Sequence, residues 1–224
     1  MRSLVSYGAA GWRSKALAVA LAALPAVAAE AETLEIVALG DSLTAGYGLP
    51  QGEGFVPQLQ NWLTERGHDV TVVNAGVSGD TTAGGLSRVD WALSDDTDAM
   101  IVTLGGNDLL RGIDPSNARE NLDGILQAGQ ARDLEILLVG MTAPGNYGPE
   151  YKASFDAIYP ELAEQYGTLY EAEFFGALTE DGDGPDAARS YMQADGIHPN
   201  AEGVARIVAA LGPRVEELIA EAAE

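Results

Sequence analysis

Short apolar runs recur along the chain, and between them the apolar positions change spacing. Residues 34–39 are broken only by Glu35 and read as a strand buried on both faces. Residues 69–74, rich in β-branched side chains, read as a second strand, 99–104 as a third, 134–139 as a fourth and 168–170 as a short fifth. In the intervals the period becomes helical. Phe55, Leu59, Trp62 and Leu63 share a face, as do Ala118, Leu122, Ile125 and Leu126. The second set follows Asp114-Pro115, an N-cap and a proline at the first helical position. Residues 150–165 also read as helix. Val204, Val208, Leu211, Val215 and Leu218 recur at steps of four and three, a stripe that packs on the core. Strands alternating with helices predict an α/β fold, a parallel sheet covered on both faces. In such sheets ligands bind beyond the carboxyl ends of the strands.

The beginning of the chain has a different pattern. It holds Arg2, Arg13 and Lys15 and no acid before Glu30, and residues 16–27 are apolar. Ala26-Val27-Ala28 follows as a small-residue exit. A basic start, a short apolar stretch and such an exit read as a secretory signal peptide over residues 1–28, cleaved on export. The apolar stretch is too short for a spanning helix, which needs about 20 residues. The expected product is residues 29–224, a single domain, periplasmic or secreted, monomeric and without a stable membrane anchor.

Charge and composition narrow the partners. The chain has 34 acidic against 12 basic residues, a net charge of −22, and loss of the three basic leader residues takes it to −25. Nucleic-acid backbones and anionic membrane surfaces are excluded by sign. Without cysteine there is no disulfide, no thiolate nucleophile and no cysteine-bound zinc. Neither G-x-G-x-x-G nor a P-loop is present, so no nucleotide cofactor is expected. The acidic stretch 180–186 invites a calcium reading, but Pro185 falls where an EF-hand loop needs a ligand. It reads as a surface loop, and no metal is expected.

The loops around the strands hold the chemistry. Gly40-Asp41-Ser42-Leu43 follows the first strand, Asn74-Ala75-Gly76-Val77-Ser78-Gly79-Asp80-Thr81 the second and Gly105-Gly106-Asn107-Asp108 the third. Asp195-Gly196-Ile197-His198-Pro199 comes late in the chain. Each alone is turn composition, and Asn200 could simply cap the last helix. Together they supply acyl transfer. Ser42 is a nucleophile that needs a base, and His198 is that base. Asp195, three residues earlier, can orient it. The N–H groups of Ser42 and Gly79 and the Asn107 amide can receive an oxyanion. Gly79 is expected to let the backbone come close to substrate. The other histidine, His68, sits in a polar connection and is expected to be solvated.

These four blocks, in this order, resemble the SGNH (GDSL) hydrolases. The resemblance spans nearly the whole mature chain and assigns Ser42 as nucleophile, Gly79 and Asn107 as oxyanion donors, and Asp195 and His198 as the remaining pair. Tyr147 and Ala157-Ile158-Tyr159-Pro160 are similar to a bacterial exported subgroup of acyl-CoA thioesterases, arylesterases and lysophospholipases. The resemblance implies a three-layer α/β/α flavodoxin-like fold, strand order 2-1-3-4-5, and a serine esterase working without metal or cofactor. Leu109, Ile113, Met141 and Tyr147 are expected to contact the acyl group of a small ester or lysolipid. Polyanionic coenzyme A thioesters rank lower, because a strongly anionic protein repels them. The alternatives are a carbohydrate O-acetyl esterase and a non-catalytic lipid- or carbohydrate-binding module on the same fold.

Overall fold

The five apolar runs form the five strands of one sheet: β1 (Leu34–Gly40), β2 (Val70–Gly76), β3 (Thr97–Thr103), β4 (Glu135–Val139) and β5 (Leu169–Glu171). The structure is a computed structural model that describes residues 33–179 and 188–224; the expected leader 1–28 and the acidic stretch 180–186 lie outside the described residues. Strand order is β2-β1-β3-β4-β5 and every pairing is parallel. The chain steps from β1 outward to β2 and then returns to the other side of β1 for β3. That reversal makes a crevice between the ends of β1 and β3, the place where doubly wound sheets bind ligands.

Helices cover both faces. α1 (Ser42–Ala45), α2 (Phe55–Glu65), α3 (Thr82–Ala92), α4 (Gly106–Arg111), α5 (Pro115–Gln130), α6 (Pro149–Asp156), α7 (Ile158–Tyr166) and α8 (Ala201–Ala222) follow in chain order. The pair α2 and α8 packs on one face, while α3, α5 and α7 pack on the other. Ile36 to Leu39 of β1 and Leu137 to Val139 of β4 are therefore buried from both sides. The predicted stripes are the ones that go inward: Phe55, Leu59 and Leu63 on α2, Ala118, Leu122, Ile125 and Leu126 on α5, and all five stripe residues of α8. Asp114 caps α5 through the Ser116 N–H, as its place before Pro115 predicts.

The predicted single helix 150–165 is two helices that part at Ala157. Pro160 explains the break. It has no N–H to give, and its ring clashes with the carbonyl four residues back, that of Asp156. His68 is not simply solvated, because its Nε2 lies 2.9 Å from Glu216 Oε1 of α8. Nearby, Trp62 of α2 is half-buried, with the Arg66 guanidinium 3.4 Å from its ring centroid on one side and Gly212 of α8 on another. Trp91, at the end of α3, is 89% exposed.

Candidate active site

Each expected reacting group sits at a carboxyl end of the sheet or at a helix entry. Ser42 opens α1 directly after β1, and Asn107 lies in α4 directly after β3. The two strands are adjacent, so these groups meet. Asp195 and His198 come in on the loop before α8. That loop is pinned by Gln193 N–H on the His198 carbonyl (2.7 Å), by Asn200 N–H on the Tyr191 carbonyl (2.8 Å), and by the Gln193 side chain on the Tyr47 carbonyl (2.8 Å). Asn200 also caps α8, accepting from the Gly203 N–H.

The Asp-x-x-His spacing has a double use. Asp195 Oδ1 accepts from the Ile197 and His198 N–H groups at 2.9 and 3.0 Å, which closes a tight turn. Oδ2 then stands 2.7 Å from His198 Nδ1. On the far side of the ring, Nε2 is 2.8 Å from Ser42 Oγ. The hydrogen bond to His198, helped by the two backbone donors, holds the Asp195 carboxyl down at about 2. It is therefore ionised at neutral and mildly acidic pH. Tyr47 covers the imidazole, ring centroids 4.6 Å apart. A carboxylate, an imidazole and a hydroxyl in line can carry a proton off the hydroxyl.

Around Ser42 lie hydrogen-bond donors. No acceptor among the described residues faces the N–H of Ser42 or of Gly79. Gly79 has φ +88°, a backbone that disfavours any side chain, and a Cβ placed there would meet only the tip of Arg111, at 3.9 Å. Conformation, more than crowding, requires glycine here. Asn107 Nδ2 donates to the Asp80 carbonyl at 2.9 Å and to Asp41 Oδ2 at 3.1 Å. Arg88 ties the neighbourhood together, bonding Asp80 Oδ2 (2.7 Å) and the carbonyls of Ala75 and Gly40 (both 2.8 Å). Asp108 is buried and holds the first residue of α3, accepting from the Thr82 N–H and hydroxyl.

A cavity of about 240 Å³ opens from Ser42, Asn107 and His198, and its walls include Leu109, Leu110, Pro144, Tyr147, Phe175 and Ile197. Of the four residues expected to contact an acyl group, Leu109 and Tyr147 line it. Met141 does not; it is buried behind Gly106. Ile113 does not either; it is half-buried past the end of α4, where its carbonyl accepts the Tyr151 hydroxyl. Leu110, 59% exposed, and Ile197, between Asp195 and His198, take their places. Both could have been suspected as apolar residues inside otherwise polar loops.

By sequence Asp41 is no more than part of a Gly-Asp-Ser turn, yet it is 2% exposed beside Ser42. Burial pushes its carboxyl up to about 6 from an ordinary 3.8. The folded chain thus holds this proton to higher pH than the unfolded chain. The group favours folding fully below about pH 4, and that advantage is lost as pH rises through 6. The expected loss is on the order of 2–3 kcal/mol. Urea unfolding at pH 4, 5, 6 and 7 measures it, and Asp41→Asn should remove that part of the slope.

A parallel sheet in this order, with a serine–histidine pair at its switch point, is the architecture of the SGNH hydrolases. The sequence pattern of the GDSL-like lipase/acylhydrolase family matches residues 38–206. Esterase TesA of Pseudomonas aeruginosa is 38% identical over 192 residues, 85% of this chain and 91% of the relative. A thioesterase 1/protease 1/lysophospholipase L1 of Escherichia coli K12 is 36% identical over 195 residues, 86% and 87% of the two chains. Among solved structures, the SGNH-hydrolase family esterase AlinE4 superposes with a TM-score of 0.66 at 46% identity, covering 83% of this chain and 96% of its own. The chain belongs to the GDSL-like lipase/acylhydrolase family, a family of ester hydrolases. Among the described residues no helix is long and apolar enough to cross a membrane.

Proposed function

We propose that this protein is an exported serine esterase that cleaves neutral or zwitterionic carboxylic esters of apolar acyl groups, and thioesters as a secondary capability. The unbroken line from Asp195 through His198 to Ser42 Oγ, at 2.7 and 2.8 Å, carries the reading. With Asp195 on Nδ1, the imidazole proton sits there and Nε2 is left to accept from the Ser42 hydroxyl. Ser42 Oγ bonds to the acyl carbon as its proton passes to His198. The carbonyl oxygen becomes an oxyanion, and the N–H groups of Ser42 and Gly79 and the Asn107 amide receive it. The C–O or C–S bond then breaks, and His198 gives its proton to the leaving alcohol or thiol. Water, losing its proton to His198, attacks the acyl-Ser42 carbon and frees both the acid and the serine.

Substrate class follows from the cavity and the charge. Leu109, Leu110, Pro144, Tyr147, Phe175 and Ile197 give the cavity a mostly apolar wall suited to an acyl chain or an aryl ring. A net charge of −22 weakens the approach of polyanionic substrates, most strongly at low salt. The names of the relatives, an esterase and a thioesterase/lysophospholipase, agree with acyl hydrolysis. The basic, then apolar, then small-residue start of the chain supports export. A fluorophosphonate probe, which labels only an activated serine, should modify the mature protein at Ser42 and block hydrolysis of p-nitrophenyl esters. Neutral esters should also be cleaved faster than acyl-CoA of the same chain length at low salt. A protein that takes up no probe and cleaves no ester sinks the proposal.

A further inference from the structure

Asp41 has no place in the proton relay, although it is adjacent to Ser42 and among the most deeply buried charged side chains described. Its Oδ1 accepts from the Leu43 N–H at 3.0 Å and caps α1. Capping needs one oxygen, and serine or asparagine supplies it without burying a charge. The second oxygen, Oδ2, accepts from Asn107 Nδ2 at 3.1 Å. We propose that Asp41 is a positioning residue of the oxyanion site, whose ionised carboxylate locks the Asn107 carboxamide with its nitrogen toward the reaction centre.

The lock follows from what each group can give and take. An amide has a donating end and an accepting end of nearly the same shape, so packing alone does not tell them apart. Asn107 Nδ2 faces two acceptors, Asp41 Oδ2 on one side and the Asp80 carbonyl on the other. Turned over, the amide would set its oxygen against a carboxylate and a carbonyl. The Asp80 acceptor is itself anchored, because Arg88 bonds the Asp80 carboxylate and the Gly40 carbonyl. Asp41 and Asn107 both line the cavity, so an oxyanion there would share the N–H that Asn107 gives Asp41, in a three-centre bond that leaves the amide held. Protonated Asp41 could donate to the amide oxygen instead, and only the Asp80 carbonyl would then oppose the turned amide. The lock is therefore strongest in the ionised form.

Charge around Asp41 is mixed. His198 and the Asn107 and Leu43 donors favour ionisation, whereas Asp108 and burial oppose it. Arg88 reaches the Gly40 carbonyl next door but is paired to Asp80. With its carboxyl raised to about 6, Asp41 is ionised at neutral pH and weakens the lock in mild acid. A buried charge that disfavours folding at pH 7 is thus retained where it orders a catalytic donor.

The inference rests on Asn107 as an oxyanion donor, and a double-mutant cycle separates the two claims. Asparagine at position 41 has one oxygen, so if it keeps the Leu43 bond its NH₂ opposes the Asn107 NH₂. Asp41→Asn should lower kcat on a p-nitrophenyl ester about tenfold or more, with KM changed less than about twofold, while Asn107→Ala should lower it about 10²–10³-fold. In the Asn107→Ala background, Asp41→Asn should cost less than about twofold, because the residue it positions is gone. The wild-type acid limb of kcat/KM should be steeper than unit slope below about pH 6, and Asp41→Asn should return it to unit slope. Asp41→Ser, which keeps the cap and cannot reach Asn107, should give the same kinetics if the asparagine variant does not fold. Losses that multiply in the double variant, or wild-type kcat in Asp41→Asn, overturn the positioning role alone. Wild-type kcat in Asn107→Ala overturns the donor assignment and this inference with it.

Discussion

Ser42→Ala is expected to lower kcat on esters by roughly 10⁴–10⁶-fold while the melting temperature moves by no more than about two degrees. The two halves have separate causes. The described contact of the hydroxyl is with His198 Nε2, and the cap of α1 is Asp41, so the fold has little to lose. Catalysis loses the atom to which the acyl group would bond. What remains is rate from bound water and the backbone donors, which is why a residue of activity above the uncatalysed rate should persist. Turnover by active-site titration and melting by circular dichroism check the two halves together. Activity within tenfold of wild type would mean that another group attacks the ester.

Gly105→Ala is expected to damage stability and turnover at once. Gly105 joins β3 to α4 with φ +123°, outside the conformations side chains adopt readily. A Cβ there would lie 2.0 Å from the Tyr159 hydroxyl and 3.3 Å from Phe155 Cζ. Tyr159 is wholly buried and donates to the Leu104 carbonyl, so it cannot swing away. Backbone strain and overpacking should together cost about 2–4 kcal/mol. For a domain of this size that lowers the melting temperature by roughly 5–15 °C. Asn107 stands two residues further on, and a displacement of about 1 Å there can cost about 10²-fold in rate. Adding Tyr159→Phe removes the nearest clashing atom and should recover part of the stability. An alanine variant that melts with the wild type would show that the β3–α4 turn is more yielding than its packing implies.

The sheet was legible because its strands are buried from both sides and leave an unbroken apolar signature. Residues 34–39, 69–74, 99–104 and 134–139 each coincide with a strand to within about two positions. Helix α3 left no such trace. Its buried positions are Thr82, Gly85 and Val89, small residues that let it lie close to α5, so it has no stripe of large apolar side chains. The helix predicted at 150–165 hid a break that Pro160 announces only once its carbonyl clash with Asp156 is considered. The residues of the Asp195–His198–Ser42 line were legible because each stands in a polar, glycine-containing loop where the sheet rule says to look. Their supports were not. That Asp41 faces an amide, that Arg88 bridges two strand ends, and that Asp80 offers its carbonyl to Asn107 all depend on residues far apart in sequence. The cavity wall was half legible: one turn of α4 sends Leu109 inward and Leu110 to the mouth, a choice that loop composition does not encode.

The surroundings of the two indoles have a spectroscopic consequence. Outside the expected leader 1–28, which holds Trp12, Trp62 and Trp91 are the only tryptophans of the sequence. Trp91 is bathed in water whether the chain is folded or not, so its emission is a constant background. Trp62, held between the Arg66 guanidinium and Gly212, emits differently only while α2 rests on α8. Tryptophan fluorescence will therefore trace the parting of that one helix pair. Comparing it with loss of ester hydrolysis during denaturation will tell whether the catalytic crevice loosens before the helices separate.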